Sequence, residues 1–219
     1  MTTDLHLVIG SKAYSSWSMR PWLAMKANGL AFRETLIPLG QDNTPVEIKK
    51  HSPSGKVPFL SHGGIKVWDS LAILEYLADS FYDKPWWPTD PDAKATARAV
   101  AAEMHSGFQG LRQNMPFNVR KSHPGRGHTP EALADVARIT EIWRQCRTKF
   151  GAGGPFLFGR FSNADAMYAP VATRFKTYAV ELDPVSRAYC DAVLDLPAVL
   201  QWYADAAKEP WVVAKYELP

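Results

Sequence analysis

One short segment, Asp83 to Asp92 (DKPWWPTDPD), splits the chain into two unlike halves. Before it, strand-like and helix-like runs alternate. After it no convincing strand occurs, and every periodic stretch is helical. This asymmetry leaves few folds open: an α/β unit followed by an all-α unit, joined by a proline-rich linker whose two tryptophans pack it down.

The first half reads as strand, helix, strand, helix, strand, strand, helix. DLHLVIG turns fully apolar, as a buried strand does. Met19, Trp22, Leu23 and Met25 have helical spacing, and Asn28-Gly29 marks a stop. Proline is tolerated in the first turn of a helix, so Pro21 places that helix's start near Ser16 to Ser18. Phe32 to Leu39 reads as a second strand. A short helix from Thr44 to Lys50 has Thr44 as its cap and Pro45 at its first position. Val57 to Ser61 and Ile65 to Trp68 read as strands around a His62-Gly63-Gly64 turn. Ser70 is expected to cap the helix LAILEYLADSFY. In the second half, helices are expected over Ala93–Gln113, Pro130–Phe150, Ala164–Val180, Pro184–Leu194 and Pro197–Ala207. The expected limits are 1–82, a linker at 83–92, and 93–219.

Composition narrows the function. Hydrophobic residues make up 46% and charged residues 21% of 219, which suits a folded chain with a substantial core. A net charge of +3 is too small to argue for nucleic acid or an anionic membrane. The basic stretch Arg120–Arg126 (RKSHPGR) reads as a solvated loop. Cys146 and Cys190 have no metal-ligand spacing and the six histidines are unpaired, so no metal site is expected. The opening MTTDLHLVIG has no basic flank and no run approaches a membrane span, which predicts a soluble cytoplasmic protein.

The chemistry gathers at helix starts. YSSWSMRPWL puts serines and a tryptophan where a strand hands over to a helix, and free N–H groups at a helix N-terminus suit an anion. A serine there also serves simply as a cap. SPSGKVPFL places Pro58 at the start of a strand, which leaves the backbone of Val57 partly free. A Val-Pro corner of this kind suits a cis bond. Asp69-Ser70 sets an acid and a hydroxyl at another helix start, able to hold the ammonium and carboxylate of an α-amino acid.

SSWSMRPWLAMK, SPSGKVPFL, VWDSLAILEYLAD and FSNADAMYAP, in this order, resemble the glutathione S-transferase superfamily over essentially the whole chain. The resemblance implies a thioredoxin-like domain that binds glutathione as co-substrate, and an all-helical domain that supplies most of a second pocket. It also implies a homodimer that acts on a small electrophile in detoxification. The serine-rich segment is similar to that of the serine-type zeta and tau classes. It puts the thiol-activating serine at Ser15, or at Ser16 if aligned as in the delta and theta classes. Trp17, Lys56, Val57, Pro58, Asp69 and Ser70 would hold glutathione, with Pro58 as the family's cis proline. Ser162 and Asp165 resemble the family's capping box, a structural role. His105, Phe108 and Arg112 recur at helical spacing and are candidates for the second-substrate pocket. Trp17 stands where the zeta class has cysteine, and Arg174 is a possible counterpart of the arginine that zeta enzymes use for a diacid. The resemblance therefore leaves three readings: a glutathione transferase, a zeta-like isomerase, and a non-catalytic dimeric scaffold.

Overall fold

The computed structural model describes residues 4–217. β1 (Leu5–Gly10) runs through the middle of a four-stranded sheet of order β2-β1-β3-β4. β2 (Arg33–Ile37) lies parallel to β1, with His6 opposite Arg33. β3 (Phe59–His62) is antiparallel to β1, with Leu7 opposite Leu60, and β4 (Ile65–Trp68) completes a hairpin on β3. Alternation along β1 sends Leu5, Leu7 and Ile9 into the main core, while Val8 joins Ile37, Ile48 and Phe59 on the other face. α1 (Ser16–Ala27) and α3 (Ser70–Ser80) contribute to that main core, and α2 (Thr44–Lys49) supplies Ile48 to the smaller cluster.

Beyond Trp86 and Trp87 the described chain has no further named strand. α4 (Pro91–Ser106), α5 (Gln109–Asn114), α6 (Pro130–Phe150), α7 (Asn163–Thr177), α8 (Pro184–Leu194) and α9 (Pro197–Ala206) follow, then a 3₁₀ turn at Ala214–Tyr216. α7 is the central rod, buried along nearly its whole length. Its start is the expected capping box: the Ser162 N–H donates to Asp165 at 2.8 Å, and the Leu157 N–H donates to the other carboxylate oxygen at 3.0 Å. Burial nevertheless raises Asp165 to about 6. Trp143 of α6 packs its ring against Tyr189 of α8 at 4.7 Å and Phe175 of α7 at 5.3 Å.

Several local expectations are corrected. α1 begins at Ser16 as expected, but Pro21 is its sixth residue, beyond the first turn, so the Trp17 carbonyl lacks its usual i+4 donor. Asp69, not Ser70, caps α3, and Asn43 rather than Thr44 occupies the N-cap position of α2. Thr44 instead donates its hydroxyl to the Pro38 carbonyl at 2.7 Å. β3 starts at Phe59, past the cis Val57–Pro58 bond. The stretch 93–113 is not one helix. It breaks at Gly107–Phe108, where Phe108 adopts a left-handed φ of 62°. A Cβ on Gly107 would sit 2.9 Å from the Glu103 carbonyl oxygen, so the break relies on glycine there. Arg120 is not in solvent: its guanidinium donates to the Glu209 carbonyl at 2.6 Å and the Trp211 carbonyl at 2.8 Å. Cys146 and Cys190 are free and buried, their thiols pushed up by burial to about 11 and about 12, which makes them inert.

Candidate active site

A cavity of about 520 Å³ opens between the start of α1, the Ser54–Pro58 corner and the start of α3. Trp17, Lys56, Val57, Pro58, Asp69 and Ser70 all line it. Ser54 and Trp68 line it too. Sequence reasoning passed over these two, although both lie inside quoted motifs. Two other cavities, of about 600 Å³ each, lie far from these residues, one beside Trp87 and the end of α6, the other between α7 and α8.

The corner supplies backbone groups. Val57 lies outside the ladder, and its N–H and carbonyl make no hydrogen bond among the described residues. An extended peptide segment entering the cavity can pair with both.

The start of α3 supplies side chains. Asp69 holds a φ of 75°, unusual for a residue with a Cβ, and its Oδ1 accepts from the Leu71 N–H at 2.9 Å. His105 of α4 brings Nε2 to 2.7 Å and 2.9 Å from the two Asp69 oxygens. The buried Ser70 Oγ has no hydrogen-bond partner among the described residues. An α-amino acid head meets both needs at once, its carboxylate on Ser70 and the α3 N-terminus, its ammonium on Asp69.

At the start of α1, Ser15 is the N-cap. Its Oγ accepts from the Ser18 N–H at 3.3 Å and donates to the Ser18 Oγ at 2.7 Å. Ser18 Oγ in turn accepts from the Gly10 N–H at 3.1 Å, tying α1 to the end of β1. Ser16 is the first helical residue, and no side-chain hydrogen bond of its hydroxyl occurs among the described residues. Both serines are buried and stand beside Trp17 rather than in the cavity lining itself. Tyr14 offers no alternative hydroxyl: its OH is held between Arg120 and Glu217, and burial raises its pKa.

Trp17 gathers the second-pocket candidates. The His105 ring meets it edge-on at 5.3 Å, and the Arg112 guanidinium lies 4.8 Å from its centroid. Arg112 is fixed there because it donates to the Gly107 and Met104 carbonyls at the end of α4. Phe108 is not with them: the helix break turns it into the core, where it is 7% exposed. Arg174 donates to the Met115 and Pro170 carbonyls.

A four-stranded mixed sheet with a cis proline beside the start of α3, joined to an all-helical bundle, defines a thioredoxin-like domain followed by a helical one. Two family models cover most of the chain: the glutathione S-transferase N-terminal domain over residues 14–80 and the glutathione S-transferase C-terminal domain over residues 126–205. The chain belongs to the glutathione S-transferase family, and it is an enzyme of that family. It is 27% identical to glutathione S-transferase L3 of Arabidopsis thaliana over 90% of this chain and 78% of that one. It is 26% identical to a probable maleylacetoacetate isomerase of Caenorhabditis elegans over 87% and 88% of the two chains. A glutathione transferase homologue from Burkholderia gl BGR1, solved with bound glutathione, superposes with a TM-score of 0.71 at 20% identity over 94% of this chain and all of its own.

Proposed function

We propose that the protein activates the thiol of glutathione as a thiolate at the start of α1 and directs it at a small electrophile. The observation that carries this reading is the cavity itself: a free backbone corner at Val57, an unpartnered Ser70 hydroxyl and the Asp69 carboxylate on one wall, beside the serines that open α1. Asp69 and Ser70 take the γ-glutamyl head, Val57 pairs with the cysteine backbone, and Lys56 takes the glycine carboxylate.

A free thiol has a pKa of about 8.5. Bringing it to about 6.5 requires about 2.7 kcal/mol in favour of the anion. A hydroxyl hydrogen bond to a charge contributes about 1.5–3 kcal/mol. A helix N-terminus adds about 0.3–1 kcal/mol. The two suffice without a histidine base or a metal. Ser15 is suited to the task. Its oxygen keeps accepting the Ser18 N–H while the hydroxyl proton rotates from Ser18 Oγ to the sulfur. The thiol proton leaves to solvent, the sulfur forms a bond to the electrophile, and the displaced group departs. Trp17, His105 and Arg112 form the wall that the electrophile meets.

Calorimetric titration with reduced glutathione at pH 7, in two buffers of different ionisation enthalpy, tests the reading. Binding with proton release is expected. No binding at millimolar glutathione would reduce the serines to caps and leave a scaffold. The named maleylacetoacetate isomerase relatives favour a zeta-like isomerase as the second reading, and turnover of a maleylacetoacetate-type substrate would select it. No described helix is long and apolar enough to cross a membrane. A cytoplasmic homodimer serving detoxification completes the proposal, on family grounds.

A further inference from the structure

Arg20 is the least satisfied group in the described chain. Its side chain is 0% exposed, and none of Nε, Nη1 and Nη2 has a hydrogen-bond partner. Arginine does not deprotonate in proteins, so a whole charge is buried there. Its ionic neighbours worsen matters. Arg112 and Arg174 repel it, and Asp69, which attracts it, makes no hydrogen bond to it. Arg112 and Arg174 each fix two guanidinium nitrogens on backbone carbonyls, whereas all three Arg20 nitrogens lack a partner among the described residues. The face of the Trp17 ring, 4.2 Å away, offsets part of this cost, but a buried ion without a hydrogen-bonded counter-charge is still costly, and the natural remedy is an anion.

The Trp17 ring links this charge to the cavity. Trp17 lines the cavity, and the Arg20 guanidinium carbon lies 4.2 Å from its ring centroid, with that of Arg112 at 4.8 Å. Arg20 itself is not among the residues that line the cavity. We propose that Trp17 swings aside and that Arg20 then serves as the carboxylate anchor of the second-substrate pocket, so that the preferred electrophile is a flat molecule carrying a carboxylate. A planar guanidinium matches a carboxylate with two parallel N–H···O bonds, and the ring supplies the stacking face. The inference rests on the glutathione transferase reading and adds the substrate class.

The test uses 4-chloro-3-nitrobenzoate and its methyl ester with reduced glutathione. In both, the C4–sulfur bond forms, the C4–chlorine bond breaks, chloride leaves and the thiol proton passes to solvent. The acid-to-ester ratio of kcat/KM is compared between the wild type and Arg20→Met, which cancels the intrinsic reactivities. The ratio is expected to fall by about tenfold to a hundredfold in the variant. Arg20→Met removes an unpaired buried charge, so it is expected to melt no lower than the wild type without ligand. Sodium benzoate, against sodium chloride at equal ionic strength, is expected to raise the melting temperature of the wild type only. An unchanged ratio overturns the proposal. So does an Arg20→Met protein that melts well below the wild type or fails to fold, since the charge is then structural. Equal stabilisation by sulfate and benzoate with no change in ratio assigns the site to an inorganic anion and also overturns it. Glutathione titration of the wild type is read separately: its failure removes the transferase reading, whereas glutathione binding with no carboxylate preference removes only this inference.

Discussion

Glu209 and Lys12 are separated by 197 residues, yet a Glu209 carboxylate oxygen accepts the Lys12 backbone N–H at 2.6 Å. The second oxygen takes the Ala13 N–H at 3.0 Å. Trp202 closes the same loop from α9, donating its indole N–H to the Lys12 carbonyl at 2.9 Å. Lys12 itself is 4% exposed and neutralised by Glu34 at 3.0 Å and Asp205 at 2.8 Å. The loop so held is the turn Ser11–Ser15, in which the Ser15 N–H donates to the Ser11 carbonyl at 2.9 Å. The helical half of the chain therefore fixes the serine that the sheet half presents.

Replacing Glu209 with alanine should orphan two buried N–H groups, each worth about 1–3 kcal/mol. We expect a lower melting temperature, and a loss of turnover that exceeds the loss of glutathione affinity. Glu209→Gln keeps one carbonyl acceptor and should fall between. A Glu209→Ala protein with wild-type stability and turnover would show that the loop holds its own shape.

Ser15→Ala should reduce turnover by more than about tenfold through loss of the hydroxyl donor, and stability by about 1 kcal/mol through loss of the cap. Glutathione affinity should change much less. Ser16→Ala, which removes a hydroxyl without a partner among the described residues, should keep most of the activity. The reverse pattern would move the thiol-activating role to Ser16.

Asp69→Asn removes the carboxylate charge but keeps a side chain that tolerates a left-handed backbone and still caps α3. Its expected effect is about a tenfold to hundredfold weaker glutathione affinity, from one charge-assisted hydrogen bond. Titration calorimetry reads this directly. Unchanged affinity would place the γ-glutamyl ammonium elsewhere.

Asp183 caps α8, accepting from Ser186 and from Arg144 at 2.8 Å. Burial alone would raise its pKa, but the Ser186 hydrogen bonds and Arg144 outweigh it and hold the group down at about 2. A depressed folded value means stability that is present above the unfolded carboxylate range and is lost as pH falls. The wild type should exceed Asp183→Asn by about 1–2 kcal/mol at neutral pH, with solvent screening allowed for. That advantage should shrink between about pH 4 and pH 2. Thermal melts across this interval measure it, and a difference independent of pH would refute the assignment.

The parts legible in the sequence are those with local chemistry. Pro130, Pro184 and Pro197 open α6, α8 and α9 where the sequence places them, because proline at a first helical position signals its start without help from the rest of the fold. Trp17, Lys56, Val57, Pro58, Asp69 and Ser70 share one cavity, and each sits in a short motif at an element boundary. The break at Gly107–Phe108 was hidden because Met104, Phe108 and Leu111 continue an apolar stripe through it, and all three remain buried. The orphaned charge of Arg20 was equally invisible. A helix buried on nearly every side leaves no polar face to show which charge lacks solvent. Glu209 carried no local sign at all, since its partners are backbone N–H groups at the far end of the chain.

The end of the described chain has a practical side. Glu217 receives the Tyr14 hydroxyl and the Asn118 amide, and Tyr14 immediately precedes Ser15. A change at Glu217 therefore reaches, through the Tyr14 side chain, the residue next to Ser15. Two preparations that differ only at that contact should not be expected to share one kinetic constant.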